Sequence, residues 1–93
     1  MLRSPEQTYL RDVSQAYVMI NCENGFEESI IERLKEIRGV KEVLGTYGNY
    51  DIVAKVESSS LEELRETVVL KIRRLKNIRC TTTLLCAKYL VWA

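Results

Sequence analysis

The stretch VKEVLGTYGNYDIVAKVE, residues 40–57, carries the turn around which the fold is built. Apolar residues predict strands at residues 40–47 and 51–57, and Gly48-Asn49 between them is typical of a hairpin turn. Strands joined this tightly pair antiparallel. The first of the two is the more polar, which suits the edge of a sheet, so the stretch predicts an edge strand paired with a more interior one.

A strand and a helix precede this hairpin. Residues 16–23 (AYVMINCE) are mostly apolar, aromatic or β-branched at both alternating sets of positions, which predicts a central strand. Asn24 with Glu27 three residues later is the pattern of a capping box at the start of a helix, and Gly39 suits the left-handed residue that follows a helix. Apolar residues recur between them at helical spacing: Ile30, Ile31, Leu34 and Ile37.

The same order of elements follows the hairpin. Ser60 with Glu63 is a second capping-box pattern, and Asn77 suits the left-handed stop of the helix. Residues 79–92 (RCTTTLLCAKYLVW) predict a long last strand. The predicted buried stripe of this second helix consists of Leu61, Leu64, Val68, Ile72 and Leu75.

The chain therefore has the order strand, helix, strand twice over. The first connection should be a right-handed crossover, and the Gly48 hairpin joins two such units. This predicts an α+β, ferredoxin-like βαββαβ sandwich of the dimeric α+β barrel type, with an antiparallel sheet in the order 4-1-3-2 and both helices on one face. We expect residues 16–93 to form this single domain and residues 1–15 to be an N-terminal extension.

Both faces of this sheet are predicted to be apolar. A strand offers only alternate residues to the helices, yet residues 16–23 and 84–89 are apolar at both sets of positions. The second face should therefore be covered by another chain or a ligand. The alternative is that residues 1–15 fold across it, although they hold few large apolar side chains.

The composition excludes several classes of function. The 93 residues carry a net charge of +1 and contain no His, the commonest general base and metal ligand. Three Cys without a C-x-x-C spacing argue against a disulfide framework or a zinc site, and no apolar run is long enough to span a membrane. We expect a cytoplasmic protein that is not an enzyme and that uses no cofactor and no metal.

Residues 16–89 resemble the effector-binding domain of the leucine- and asparagine-responsive (Lrp/AsnC) transcription regulators, also called the RAM domain. The most specific piece is Gly48-x-Tyr50-Asp51 followed by an alternating strand. The other matching pieces are AYVMINCE at 16–23, Gly25, IRGV at 37–40, the whole of YGNYDIVAKV at 47–56, and IRCTTTLL at 78–85. Family regulators usually also carry a helix-turn-helix domain. None is recognisable in this sequence, so the chain is similar to the stand-alone RAM modules, and direct reading of DNA is not expected.

The resemblance implies an effector site at the hairpin, with Tyr47, Gly48, Asn49 and Asp51 as ligand-binding residues. Asp51 would accept hydrogen bonds from a ligand ammonium group, and Gly48 would let a backbone approach closely. The alternative interpretation is turn chemistry alone. Position 47 more often holds a small hydroxyl residue in the family, so Tyr47 leaves the identity of the ligand open.

A Thr-x-Thr at the start of the last strand is also similar to the family pattern. Thr81 and Thr83 match it, and their hydroxyls would bind a ligand carboxylate. β-Propensity at a sheet edge explains the same residues equally well. The nearby basic residues complement the end of a helix, and we expect no nucleic-acid binding from them. Tyr89 and Trp92 suit either an interface or packing within the chain.

The function predicted from the sequence is an amino-acid-binding and oligomerisation module that modulates transcription regulation or amino-acid metabolism through protein contacts. The resemblance implies a homodimer that assembles into a higher oligomer such as an octamer, with hetero-assembly with a full-length Lrp/AsnC regulator as a further expectation. No membrane partner is expected. The alternatives are a purely structural oligomerisation domain and a small dimeric α+β barrel enzyme.

Overall fold

The computed structural model of the chain describes residues 14–86 and has the predicted order of elements. They are β1 (Ser14–Cys22), α1 (Glu27–Lys35), β2 (Val40–Gly45), β3 (Ile52–Ser58), α2 (Leu61–Glu66) and β4 (Ile78–Leu85), and α2 continues as a π-helical segment, Thr67–Ile72. The strands form one antiparallel sheet in the order β2-β3-β1-β4. This confirms the predicted fold class and strand order.

The core lies between the helices and one face of the sheet. Along each strand, alternate residues point to the same face of the sheet, and residues that pair directly between β1 and β3 share a face. Val18 pairs with Ala54, and Ile20 pairs with Ile52, all without exposed surface. The helices contribute Ile30, Leu34, Leu64, Val68 and Ile72 to the same cluster. Burial of these apolar side chains is the main term that holds the sandwich together.

The start of α1 differs from the prediction. Phe26, not Asn24, is the N-cap residue, and no side chain caps the helix there. Gly25 has a φ of +89° and turns the chain ahead of the helix, and its N–H donates to Glu27 Oε1 at 3.1 Å. Glu27 therefore completes the turn at Gly25. The predicted capping role of Asn24 was wrong because this turn places the N-cap at Phe26, two residues beyond Asn24.

The start of α2 follows the prediction more closely. The Glu63 N–H donates to Ser60 Oγ at 3.1 Å, so Ser60 caps the helix. The Glu63 carboxylate then accepts from the hydroxyl of Ser59 at 2.9 Å, which replaces the return bond of a full capping box. Asn77 has the predicted left-handed conformation, with a φ of +71°.

The second helix ends in a π-helical segment and keeps most of its predicted buried stripe. The Arg73 N–H donates to Val68 O, five residues back, at 2.9 Å. Thr67 is buried beside Val68. Leu64, Val68 and Ile72 are buried and Leu75 packs against the edge of the core, so the predicted stripe is confirmed except for Leu61. Leu61 is the first residue of α2 and is exposed.

The predicted strand ends differ by a few residues. β2 ends at Gly45, two residues before the predicted end, and β1 begins at Ser14, two residues before the predicted domain boundary. β4 starts at Ile78. Tyr89, Trp92 and residues 1–13 lie outside the described residues, and the expectations placed on them are unaffected by the structure.

The sheet face turned away from the helices is called the open face and consists of alternate strand residues. Its middle is an apolar row in which Leu44 pairs with Val53, and Val53 pairs with Met19. The next row holds Lys55, Tyr17 and Leu84, of which Tyr17 and Leu84 are exposed. Both faces of the sheet therefore carry apolar residues, as predicted, with charged residues interspersed on the open face.

Gly39 is the glycine on which the fold most depends. Its φ is +102°, and a Cβ at this position would lie 3.1 Å from Glu57 O. Gly39→Ala is therefore expected to lower the free energy of unfolding by about 2 kcal/mol or more, because left-handed strain alone costs about 1–2 kcal/mol. Urea denaturation measures this. Gly45→Ala is the matched control, since Gly45 has no positive φ and its nearest neighbour would be 4.0 Å away. Equal loss of stability in both variants would contradict the prediction.

Candidate functional site

The hairpin loop between β2 and β3, residues 46–51, lies at the end of the sheet where β1 ends and β4 begins. The Thr46 N–H donates to Asp51 O at 2.9 Å, and the Thr46 hydroxyl donates to Tyr50 O at 2.7 Å. Gly48 has a φ of +110° and open space around it. Asn49 is exposed and Tyr47 is fully exposed. The loop is thus closed at its base and accessible at its tip.

Asp51 is held in place by the end of β1. Its backbone N–H donates to Ile20 O at 2.9 Å, and its Oδ2 accepts from the Cys22 N–H at 2.9 Å. The Cys22 thiol also donates a hydrogen bond to this carboxylate. The side chain is half-buried. Cys22 therefore fixes the carboxylate of Asp51, and because a carboxylate has about four acceptor positions it can still accept from a ligand.

The surroundings of Asp51 are acidic. Burial, followed by the negative charges of Asp51 and Glu27 and a hydrogen bond to the Asp51 carboxylate, raises the pKa of the Cys22 thiol to about 11, with Glu23 adding to the effect. Cys22 therefore stays a neutral thiol at physiological pH and is not a nucleophile. The carboxylates that disfavour a thiolate would favour a cation at the same place.

Thr81 and Thr83 lie on the helix side of β4, where they pair with Ile20 and Val18. The Thr81 hydroxyl accepts a hydrogen bond from Arg73 Nε at 3.2 Å, and Thr83 is exposed. Ile52 and Thr81 flank Ile20 on opposite sides, so two strand spacings, about 10 Å, separate their backbones. The described contacts do not bring the two threonines to the hairpin, and their role in ligand binding stays a prediction.

The contact between the hairpin and β4 is made by other residues. The Tyr50 Oη donates to Thr82 Oγ1 at 3.3 Å, on the open face. Tyr50 belongs to the most specific motif of the sequence but was not among the predicted site residues. Because neighbouring strand residues point to opposite faces, Thr82 reaches a different surface from Thr81 and Thr83. Arg73, which reaches Thr81 from the end of the π-helical segment, was also missed.

No group of three or more His, Cys, Asp or Glu side chains in residues 14–86 is placed to hold a metal ion. No helix in the same residues is long and apolar enough to cross a membrane.

Comparison with known proteins assigns the chain to one family. A family model described as the Lrp/AsnC ligand binding domain matches residues 15–91. The chain belongs to this family. Family membership makes the protein an effector-binding regulatory domain, which confirms the resemblance inferred from the sequence.

Solved structures of the family have the same fold. The crystal structure of FFRP-DM1 is 31% identical with a TM-score of 0.77, and the similarity covers 80% of this chain and 99% of that one. AsnC of E. coli is 26% identical with a TM-score of 0.77, and the similarity covers 100% of this chain and 62% of AsnC.

Curated relatives of this Lrp/AsnC domain include enzymes. Homocitrate synthase of Saccharolobus solfataricus is 37% identical over 87 residues, which are 92% of this chain. The chain spans only 17% of the length of that enzyme. The similarity therefore concerns one segment of the synthase, and the activity of the whole enzyme does not follow from it.

Proposed function

We propose that this domain binds a free amino acid at the hairpin of residues 46–51 and passes the binding event to a protein partner by assembling with other copies. The observation that carries the proposal is the carboxylate of Asp51. Cys22 fixes it through its backbone N–H and its thiol, and the carboxylate, which has about four acceptor positions, can still accept from a ligand.

A free amino acid matches the charges at this site. Its ammonium group needs an acceptor, and Asp51 supplies a charged one in a fixed orientation. Glu23 and Glu27 add to the negative charge around it. The ordered carboxylate loses little conformational freedom on binding, so more of the free energy of its interaction with the ligand contributes to the affinity.

The carboxylate of the ligand needs donors, and the exposed tip of the hairpin offers backbone N–H groups close to Asp51. Thr81 stands about two strand spacings from β3 and already accepts from Arg73. An amino acid holds its two charged groups much closer together than that. We therefore place the carboxylate against the hairpin backbone or against a second copy of the chain, with Thr81 and Thr83 contributing only through such a copy.

The open face supports the assembly part of the proposal. Met19, Val53 and Leu44 form a continuous apolar row there, and a domain of this size gains stability by burying such a surface. If two copies packed with their open faces together, each copy would cover the apolar row of the other. The hairpin stands at the rim of this face, so it would remain available for contacts between dimers.

Calorimetric titration of the full chain with each of the common amino acids tests the proposed function. Heat from at least one of them, with a stoichiometry of one ligand or fewer per chain, is the expected result. No heat from any of them would favour the purely structural oligomerisation domain instead.

A second candidate function is favoured by the homocitrate synthase similarity. The domain would then regulate a catalytic chain of that kind rather than a DNA-binding regulator. The specific observation is that the synthase segment is more similar to this chain, at 37% identity, than FFRP-DM1 at 31% or AsnC at 26%. The ligand-binding role of the domain is the same in both candidates, and only the partner differs.

The two partners are separated by mixing experiments. The purified chain and its bound amino acid would be added to homocitrate synthase from the same organism, with turnover as the readout, and to a full-length Lrp/AsnC regulator on its operator, with gel mobility as the readout. A change in turnover alone would select the catalytic partner.

A further inference from the structure

We propose that a groove at the opposite end of the domain from the hairpin is a second ligand site, which takes a small molecule with two or three carboxylate groups. The groove has a volume of about 520 Å³, within the size range of small-molecule sites. It lies where the α1–β2 connection, the end of β3 and α2 with its π-helical segment meet. This site goes beyond the proposed function, because none of its residues belongs to the hairpin.

The base of the groove is rigid. The Glu57 N–H donates to Gly39 O at 2.8 Å, which ties the α1–β2 connection to the end of β3. Gly39 approaches Glu57 so closely that a Cβ would lie 3.1 Å from Glu57 O, and 3.8 Å from the buried Thr67. The groove is therefore formed before any ligand binds, and a ligand would not have to order it.

The groove is lined by three cations that have no ion-pair partner. Arg38 and Lys41 come from the α1–β2 connection and the start of β2, and Lys71 comes from the π-helical segment. None of them forms a salt bridge within residues 14–86. Three converging cations attract an anion that carries more than one negative charge, and Arg38 can bind a carboxylate with two parallel hydrogen bonds.

The groove also holds three carboxylates, two of which are engaged. Glu57 Oε2 lies 3.7 Å from Lys55 Nζ, and Glu63 Oε1 accepts from the Ser59 hydroxyl at 2.9 Å. Glu66 remains as a free acceptor beside the cations. A ligand hydroxyl or ammonium group would use it. The arrangement thus fits a hydroxylated or amino-substituted polycarboxylate, which offers its carboxylates to the cations and a separate donor to Glu66, better than inorganic phosphate, which carries its charge and its hydroxyl donors on one compact group.

Citrate is the probe for the test, with inorganic phosphate as the comparison anion. In amide NMR spectra of the full chain, citrate is expected to shift the signals of Gly39, Ser58 and Ser59 and to leave Gly48 and Asn49 unchanged. The variant Lys41→Ala/Lys71→Ala should bind citrate at least about tenfold more weakly, as expected for the loss of charge-assisted hydrogen bonds. Arg74→Ala/Lys76→Ala is the matched control: it removes the same charge away from the groove and should bind as wild type does.

Three results would overturn the proposal: equal weakening in both double variants, phosphate binding as tight as citrate, or citrate-induced shifts at Gly48 in place of Gly39. The amino-acid titration of the hairpin is independent of all three. Failure of the groove and failure of the hairpin site are therefore distinguishable.

Discussion

Replacing Asp51 with asparagine is expected to weaken amino-acid binding roughly ten- to hundred-fold, the loss of a charge-assisted hydrogen bond to an ammonium group. The amide oxygen of asparagine can still accept from the Cys22 N–H, which bonds to Asp51 at 2.9 Å in the native protein. The fold should therefore be preserved while the charge is removed. Calorimetric titration of wild type and Asp51→Asn with the best-binding amino acid measures the effect.

Asp51→Ala makes the comparison sharper. It removes the charge and also leaves the part-buried Cys22 N–H without its partner, so it should weaken binding to the same degree and lower the free energy of unfolding by about 1–3 kcal/mol as well. Glu36→Gln is the control, because it removes one negative charge from an exposed residue at the end of α1, away from the hairpin. Unchanged affinity in Asp51→Asn would place the ammonium group elsewhere.

Tyr17→Glu should convert the proposed sheet-to-sheet dimer into monomers at micromolar concentration. Tyr17 lies on the central strand of the open face, between Lys55 on β3 and Leu84 on β4. In the single chain the new carboxylate would be partly exposed and opposite Lys55, so the monomer should fold. Between two sheets it would be a buried charge, which costs about 3 kcal/mol or more and raises the dimer dissociation constant roughly a hundredfold.

The control for this change lies on the helix layer. Leu70 is also a large exposed apolar residue, but it belongs to the π-helical segment and not to the open face. Leu70→Glu should leave the dimer intact in light scattering and sedimentation. Dissociation by both variants, or by neither, would contradict assembly through the open face.

The order of the elements could be predicted from the sequence because each signal was local and repeated. Alternating apolar residues, the Gly48-Asn49 turn and the Ser60 cap each depend on a few neighbouring residues. Asn24 shows the limit of such signals. The same capping-box pattern failed there because the left-handed Gly25 turns the chain first, and a spacing pattern does not report that turn.

The site was harder to predict than the fold. Asp51 was assigned to the hairpin from a family motif, but its bond to the Cys22 N–H joins residues 29 apart in sequence and left no local signal. The threonines illustrate the same difficulty, because Thr82, not Thr81 or Thr83, meets Tyr50. Which of three consecutive threonines faces the hairpin depends on the register of β4 against β1. That register is set by packing across the whole sheet.

The position of β1 has a consequence for the synthesis of the chain. β1 pairs with β3 on one side and with β4 on the other, and β4 is the last of the described strands to be made. Until residues 78–85 have left the ribosome, one edge of β1 has no partner, and such an edge can pair with other chains. Folding of this domain should therefore be completed after translation of β4, and a nascent chain stalled before Ile78 should be a substrate for chaperones.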